Sequence, residues 1–250
     1  MSRRVVVIAV GVWLVAIAAA VQIVALRGAP QAPQAPRTLS AEVEAAGLGA
    51  IELRATDGAV EVVGTDEERI RISAEISAPA PRGRWMDRFA GDLARTELVS
   101  ARNGEVFTAR LRVPGNDRIV ERWTVHVPRR FRVRLDANDA TVSVVDVSGG
   151  VSARANAGLG SDPGSIRVNV PGGRLDLSLH VGEIHARTSS ASRGPVDVES
   201  SVGDARVTVA GRSIHSPRAP GPGHRLRLND EGPDAVKLRV GVGTAVLDIK

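Results

Sequence analysis

The chain has 250 residues, enough for one large domain or two small ones, and no Cys, which removes disulfide frameworks, thiolate metal sites and thiol nucleophiles together. With three Trp, three Phe and no Tyr, its core must be built from Val, Leu, Ile and Ala. The formal charge of +5 sits largely at the N-terminus, because Arg3, Arg4, Arg27 and Arg37 precede the first acid, Glu42. Without those four, 29 basic residues face 28 acidic ones, so residues 39–250 carry about +1 and lack the footprint of a nucleic-acid binder. The bases of a single strand would also find few aromatic platforms.

The first forty residues divide into three parts. Residues 1–4 form a short positive leader. Residues 5–26, "VVVIAVGVWLVAIAAAVQIVAL", are apolar apart from Gly11 and Gln22. As a helix rising about 1.5 Å per residue they span about 33 Å, enough for a hydrocarbon core of about 30 Å. The competing reading is a cleaved signal peptide, with Ala18-Ala19-Ala20 as the small-residue site. The run continues through Leu26, longer than a cleavable apolar region, which favours an uncleaved transmembrane helix. Arg3 and Arg4 ahead of it place the N-terminus in the cytoplasm and the bulk of the chain outside. Residues 27–38 contain "GAPQAPQAPR", a Pro/Ala-rich linker of extended character.

Residues 39–250 are expected to form an extracytoplasmic β domain, because one pattern recurs. Leu175, Leu177, Leu179 and Val181 alternate, Gly182-Glu183 interrupts, and Ile184 and Ala186 resume in the other parity. Val196 to Val202, broken at Gly203-Asp204, and Val236 to Val242, broken at Gly243-Thr244, repeat it at offsets of 21 and 40 residues. Earlier copies run from Val133 through Asn138-Asp139-Ala140 to Val144, and from Ile51 through Asp57-Gly58 to Val62. A looser copy joins Val151, Ala153 and Ala155 to Ile166 and Val168 across "GLGSDPGS".

Strict alternation marks strands with one buried face. Gly58, Asp139, Gly182, Gly203 and Gly243 are the structural turn positions, where Gly and Asp supply the positive φ of a corner. The parity change is expected to keep both arms, Val181 included, on one core. Two architectures fit. Each copy can be a hairpin with a primed turn, the hairpins packing as a β-sandwich. Alternatively each break is a corner, and successive coils of about 21 residues stack in parallel as a right-handed β-solenoid. The near-constant step favours the solenoid. "GRWMDRFAGDLARTELVSARNG" places Trp85, Phe89 and Leu93 on one helical face, predicting a short capping helix near residues 84–98 or a partner-docking one.

The repeated "V-x-V-x-x-x-V-G-x-[IAV]-x-[VA]" behind a membrane anchor resembles the bacterial putative-adhesin domain family. The resemblance runs from Ile51 to Lys250 and is strongest in "RWTVHVPRRFRVRLDANDATVSVVDVSG", with its "V-x-V-P" at Val125–Pro128. It implies a right-handed β-helix and an envelope location. The family is a domain of unknown function, so no catalytic residues carry over.

The search for chemistry returns little. His180 and His185 flank the Gly182 break, with Glu183 as the one nearby third ligand, and read as solvated side chains. "GLGSDPGS" misses G-x-G-x-x-G by one residue and lacks a P-loop lysine, and Ser161 is outside G-x-S-x-G. "DANDA", Asp136–Ala140, follows no calcium-loop spacing and suits a turn. Asp176, Asp197 and Glu199 are expected outward on neighbouring coils, the only arrangement that invites a carbohydrate-active enzyme. The expectation is a membrane-anchored, non-catalytic binding, adhesion or scaffold module with no cofactor and no metal. Its partner would be an envelope polysaccharide or a membrane protein. The alternatives are an envelope-stress or regulatory membrane protein and a carbohydrate-active β-helix enzyme.

Overall fold

The computed structural model describes residues 35–78, 93–114, 119–156, 163–189, 193–215, 222–228 and 231–250. The apolar run 5–26, the start of the linker, Trp85 and Phe89 lie outside them, as does most of "GLGSDPGS". Among the described residues no helix is long and apolar enough to cross a membrane.

The described chain is all β. Its strands are β1 (Arg37–Glu44), β2 (Ala50–Thr65), β3 (Arg69–Ser77), β4 (Glu97–Asn103), β5 (Val106–Arg112), β6 (Val120–Pro128) and β7 (Arg132–Val145). They continue as β8 (Val151–Ala155), β9 (Gly164–Asn169), β10 (Leu175–Thr188), β11 (Arg193–Val209), β12 (Arg212–His215), β13 (His224–Leu228) and β14 (Asp234–Ile249).

The copies of the repeat are bent rungs that pair with one another in parallel. Each has a first arm before the break and a second arm after it. Leu175 lies opposite Val236 and Val236 opposite Val196, with Gly182, Gly243 and Gly203 level at the bend. Ile51 faces Val133, Leu53 faces Leu135 and Asp57 faces Asp139. β8 and β9 form the two arms of the looser copy, between β7 and β10. β5 and β6 form the two arms of a further rung beside β2. The hairpin alternative is thereby corrected: Val181 pairs with Val242 of another rung, not with Ile184.

The expectation that successive coils are neighbours is corrected too. β14 lies between β10 and β11, and β2 lies between the β5/β6 rung and β7. The reason is edge protection. A terminal rung presents unpaired amides and carbonyls, and antiparallel returns cover them. After β11 the chain turns through Ala210 (φ 46°) and Gly211 (φ 78°), the double positive φ of a type I′ hairpin. It lays β12 and then β13 antiparallel along the two arms of β11. β14 must then enter on the other side of β11. At the opposite end β4 covers β5, and β3 and β1 extend from β6, all antiparallel.

That end carries no capping helix among the described residues. Leu93–Arg95 is a single 3-10 turn, and Glu97–Asn103 is strand β4, because Leu98 faces Leu111 across an antiparallel pair. Leu93 is buried with Ile76 and Ile119 in a small separate cluster. The Arg37 guanidinium donates to the carbonyls of Leu93, Ala94 and Thr96 at 2.9, 2.8 and 3.1 Å, tying the first strand to that turn.

The main core is aliphatic, as the composition requires. One inward column reads Phe107, Ile51, Val133, Val151, Leu175, Val236 and Val196, all buried. With rungs about 4.8 Å apart, each side chain contacts like side chains above and below. Burying each contributes roughly 1.5–3 kcal/mol. Outward residues between them are polar.

Candidate functional site

The bend is tightly constrained. Glu121, Gly58, Ala140, Gly164, Gly182, Gly243 and Gly203 follow one another along it. Gly58, Gly182, Gly203 and Gly243 have φ of 127°, 134°, 134° and 136°, outside the range that L side chains adopt readily. A Cβ on Gly182 would run into the Gly164 carbonyl oxygen, and one on Gly203 into that of Gly243. The glycines therefore serve both the bend and the close approach of the rungs. Asp139 departs from this rule: neither it nor Ala140 has positive φ, so the β7 rung bends with ordinary backbone.

The parity at the bend corrects the expectation for the last valine of the first arm. Val202 and Val242 are 47% and 42% exposed, and Val181, beside Val242, is half-buried. The alternation flips before the glycine, so these valines point outward. On the buried side, the Ser200 hydroxyl donates to the Gly243 carbonyl at 2.8 Å, satisfying a polar atom at the corner.

Glu121 belongs to no motif of the sequence. Its side chain is buried, and its Oε2 accepts from the indole N–H of Trp123 at 2.8 Å and from the backbone N–H of Thr56 at 3.2 Å. The position explains it. The pairing of β2 with β5 ends at Arg54, and its pairing with β6 starts at Gly58. Thr56 lies in that gap, and the carboxylate takes the place of the missing rung. Burial pushes the Glu121 carboxyl above its ordinary range, against the two hydrogen bonds that favour the charged form. A signal existed in the sequence: Ile119, Glu121, Trp123 and Val125 share one parity, so an acid occupied an inward position. Trp123 is itself buried and offers no face to a sugar.

The outward face of the first arms is a charged ladder. Asp176 of β10 and Asp197 of β11 are not neighbours, because Lys237 of β14 lies between them, and Arg239 lies beside Glu199. The acidic cluster expected from the sequence is thus interleaved with cations. On β13, Arg225 grips Asp197 with two bonds of 2.8 and 2.5 Å and reaches Glu199 at 3.6 Å. These contacts hold the Asp197 carboxyl below its usual range, the Arg225 hydrogen bonds being the main cause. Near the β4 end the same face forms a shallow groove of about 330 Å³, lined by Glu52, Arg54, Val99, Ala101, Thr108 and Arg110 among others. His180 and His185 are exposed, and His185 lies 3.3 Å from Glu183. No group of three or more His, Asp or Glu able to hold a metal occurs among the described residues.

No family model matches the chain, and no curated protein matches it. Among solved structures, the chain is similar to one described as a putative cell adhesion protein from Clostridium sporogenes ATCC 15579. The TM-score is 0.52 at 13% identity, over 86% of this chain and 100% of that one. A putative adhesin from Parabacteroides distasonis ATCC 8503 aligns over 86% of this chain and 97% of its own, at 10% identity and a TM-score of 0.25. The first likeness is one of fold.

Proposed function

We propose that this chain is a membrane-tethered, extracytoplasmic binding module of the cell envelope, without catalytic activity, its β domain working as a β-solenoid-like scaffold. The observation that carries the reading is the in-register stacking of the rungs, which aligns outward polar side chains in straight rows on a rigid aliphatic core. Such rows offer repeated, shallow contacts suited to an extended partner rather than an enclosed small substrate. The apolar run 5–26 and the Pro/Ala-rich spacer after it suit a tether beside a bilayer. The name of the similar Clostridium protein agrees with an adhesion role. The interleaving of Asp176 and Asp197 with Lys237 weighs against the glycosidase alternative, which needs two carboxylates facing one bond.

The test uses the full chain in detergent micelles against purified envelope polysaccharides, with binding and new reducing ends followed together. Saturable binding to at least one polymer without chain cleavage is expected. Release of reducing ends would replace this reading with an enzyme, and binding to none of the polymers would remove the envelope-glycan role.

A further inference from the structure

The first-arm face changes character along the stack. At the β13 end its charges are neutralised in pairs, as Arg225 and Arg227 meet Asp197 at 2.5 and 3.6 Å. At the β4 end, among the described residues, the pairing is incomplete. Arg110 lies beside Arg54, which is held by Glu52 at 3.0 Å. On the next rungs Arg134 lies beside Glu52, and Asp136 lies between Arg54 and Arg154. Arg110, Arg134 and Arg154 are exposed, and none has a carboxylate within ion-pair distance among the described residues. All share one face, because each stands an odd number of residues from its rung's buried neighbours, such as Ala109, Val133 and Ala153. The small side chains Val99, Ala101 and Thr108 leave the groove open beside Arg110 and Arg54.

We propose that this face, from β4 across β5, β2, β7 and β8, binds a linear polysaccharide bearing carboxylates, with Arg110, Arg134 and Arg154 as its anion contacts. The inference deepens the binding-module reading and rests on it. The spacing points to a polymer. Arg110 and Arg154 are three rungs apart, about 14 Å at about 4.8 Å per rung, too far for one small anion to bridge. The guanidinium fork pairs bidentately with a carboxylate. The interspersed acceptors Glu52 and Asp136 can accept from sugar hydroxyls, donors that a polyphosphate lacks. Among the described residues the aromatics Phe107, Trp123 and Phe131 are buried, which disfavours a single-stranded nucleic acid, since it needs stacking platforms.

The full chain in detergent micelles is titrated with polygalacturonate, with its fully methyl-esterified form, with polyphosphate and with duplex DNA. Arg110→Gln/Arg154→Gln, Arg110→Lys/Arg154→Lys and Arg227→Gln variants follow, each checked for an unchanged melting transition. Saturable binding to polygalacturonate alone is expected, falling as salt rises. It should weaken about tenfold or more in the Gln pair and less in the Lys pair, since two charge-assisted contacts are lost. Arg227→Gln should bind as the parent does. Equal binding of the esterified polymer, tighter binding of polyphosphate or DNA, or an unaffected Gln pair would overturn the site. If an uncharged envelope glycan binds and the Gln pair does not weaken it, this site falls while the binding-module reading stands. Cleavage of polygalacturonate would instead overturn the non-catalytic reading, even with the arginine dependence intact.

Discussion

Gly182 and Gly243 lie side by side at the bend of adjacent rungs, and a Cβ on Gly243 would run into the Gly182 carbonyl oxygen. The column therefore tolerates no side chain at this point, whatever the gain in helix or strand propensity. Gly243→Ala is expected to lower stability by about 2–4 kcal/mol, combining a positive-φ cost with backbone displacement. Gly104→Ala provides the comparison: its φ is 59° and a Cβ there meets nothing within 4 Å, so only the conformational cost of about 1 kcal/mol applies. Urea unfolding of the two variants tests the difference; equal losses would contradict a packed bend.

Glu121 links stability to pH. Its carboxyl is raised in the folded state, so the folded protein holds that proton more tightly than the unfolded chain does. The associated stability is fully present below the ordinary carboxylate range and is lost as pH rises through the folded value. Glu121→Gln keeps an acceptor for Thr56 and Trp123 and removes the buried charge. It should equal or exceed the parent near neutral pH and lose ground to it on acidification. Glu121→Ala deprives the buried Trp123 indole N–H and the part-buried Thr56 N–H of their acceptor and should cost about 2–4 kcal/mol. Melting temperatures of the three proteins, compared in acidic and neutral buffers, decide it.

Asp197 behaves with the opposite sign. Arg225 holds its carboxyl low, so the pair stabilises above the ordinary carboxylate range and fails as pH falls through the depressed folded value. Its side chain is partly exposed and the effect is correspondingly local. Arg225→Gln should speed amide exchange in β13 several-fold while barely moving the global transition. Unchanged exchange in β13 would show that the ion pair does not hold the edge.

The valine at the corner and the leucine inside the arm should respond differently. Val202→Thr, at an exposed site, should shift stability by no more than about 0.5 kcal/mol. Leu238→Ala, fully buried between Leu177 and Val198, should cost about 2–5 kcal/mol. A large loss at Val202 would mean that the parity flips later than the structure places it.

Much of this architecture was legible in the residues. The alignment of Leu175, Val236 and Val196, made from alternation and the glycine break, is the pairing register of β10, β14 and β11. Period-two alternation specifies register because a one-residue slip would turn every core side chain to solvent. The candidate site was less legible. Arg110, Arg134 and Arg154 are scattered through the sequence as ordinary outward residues, and they become a group only through the order of the rungs. Glu121 was visible as an acid in inward phase, but the backbone gap that it fills was not.

Composition and alternation alone determined an aliphatic all-β domain with glycine-marked corners, because local sterics and burial depend on residue type and spacing. Tertiary structure decided which rung lies beside which, since copies with the same apolar pattern are interchangeable as neighbours. The covering of exposed edges by β12, β13, β3 and β4 selected the order. Tertiary structure also decided which charges meet partners among the described residues, because those depend on rungs distant in the chain.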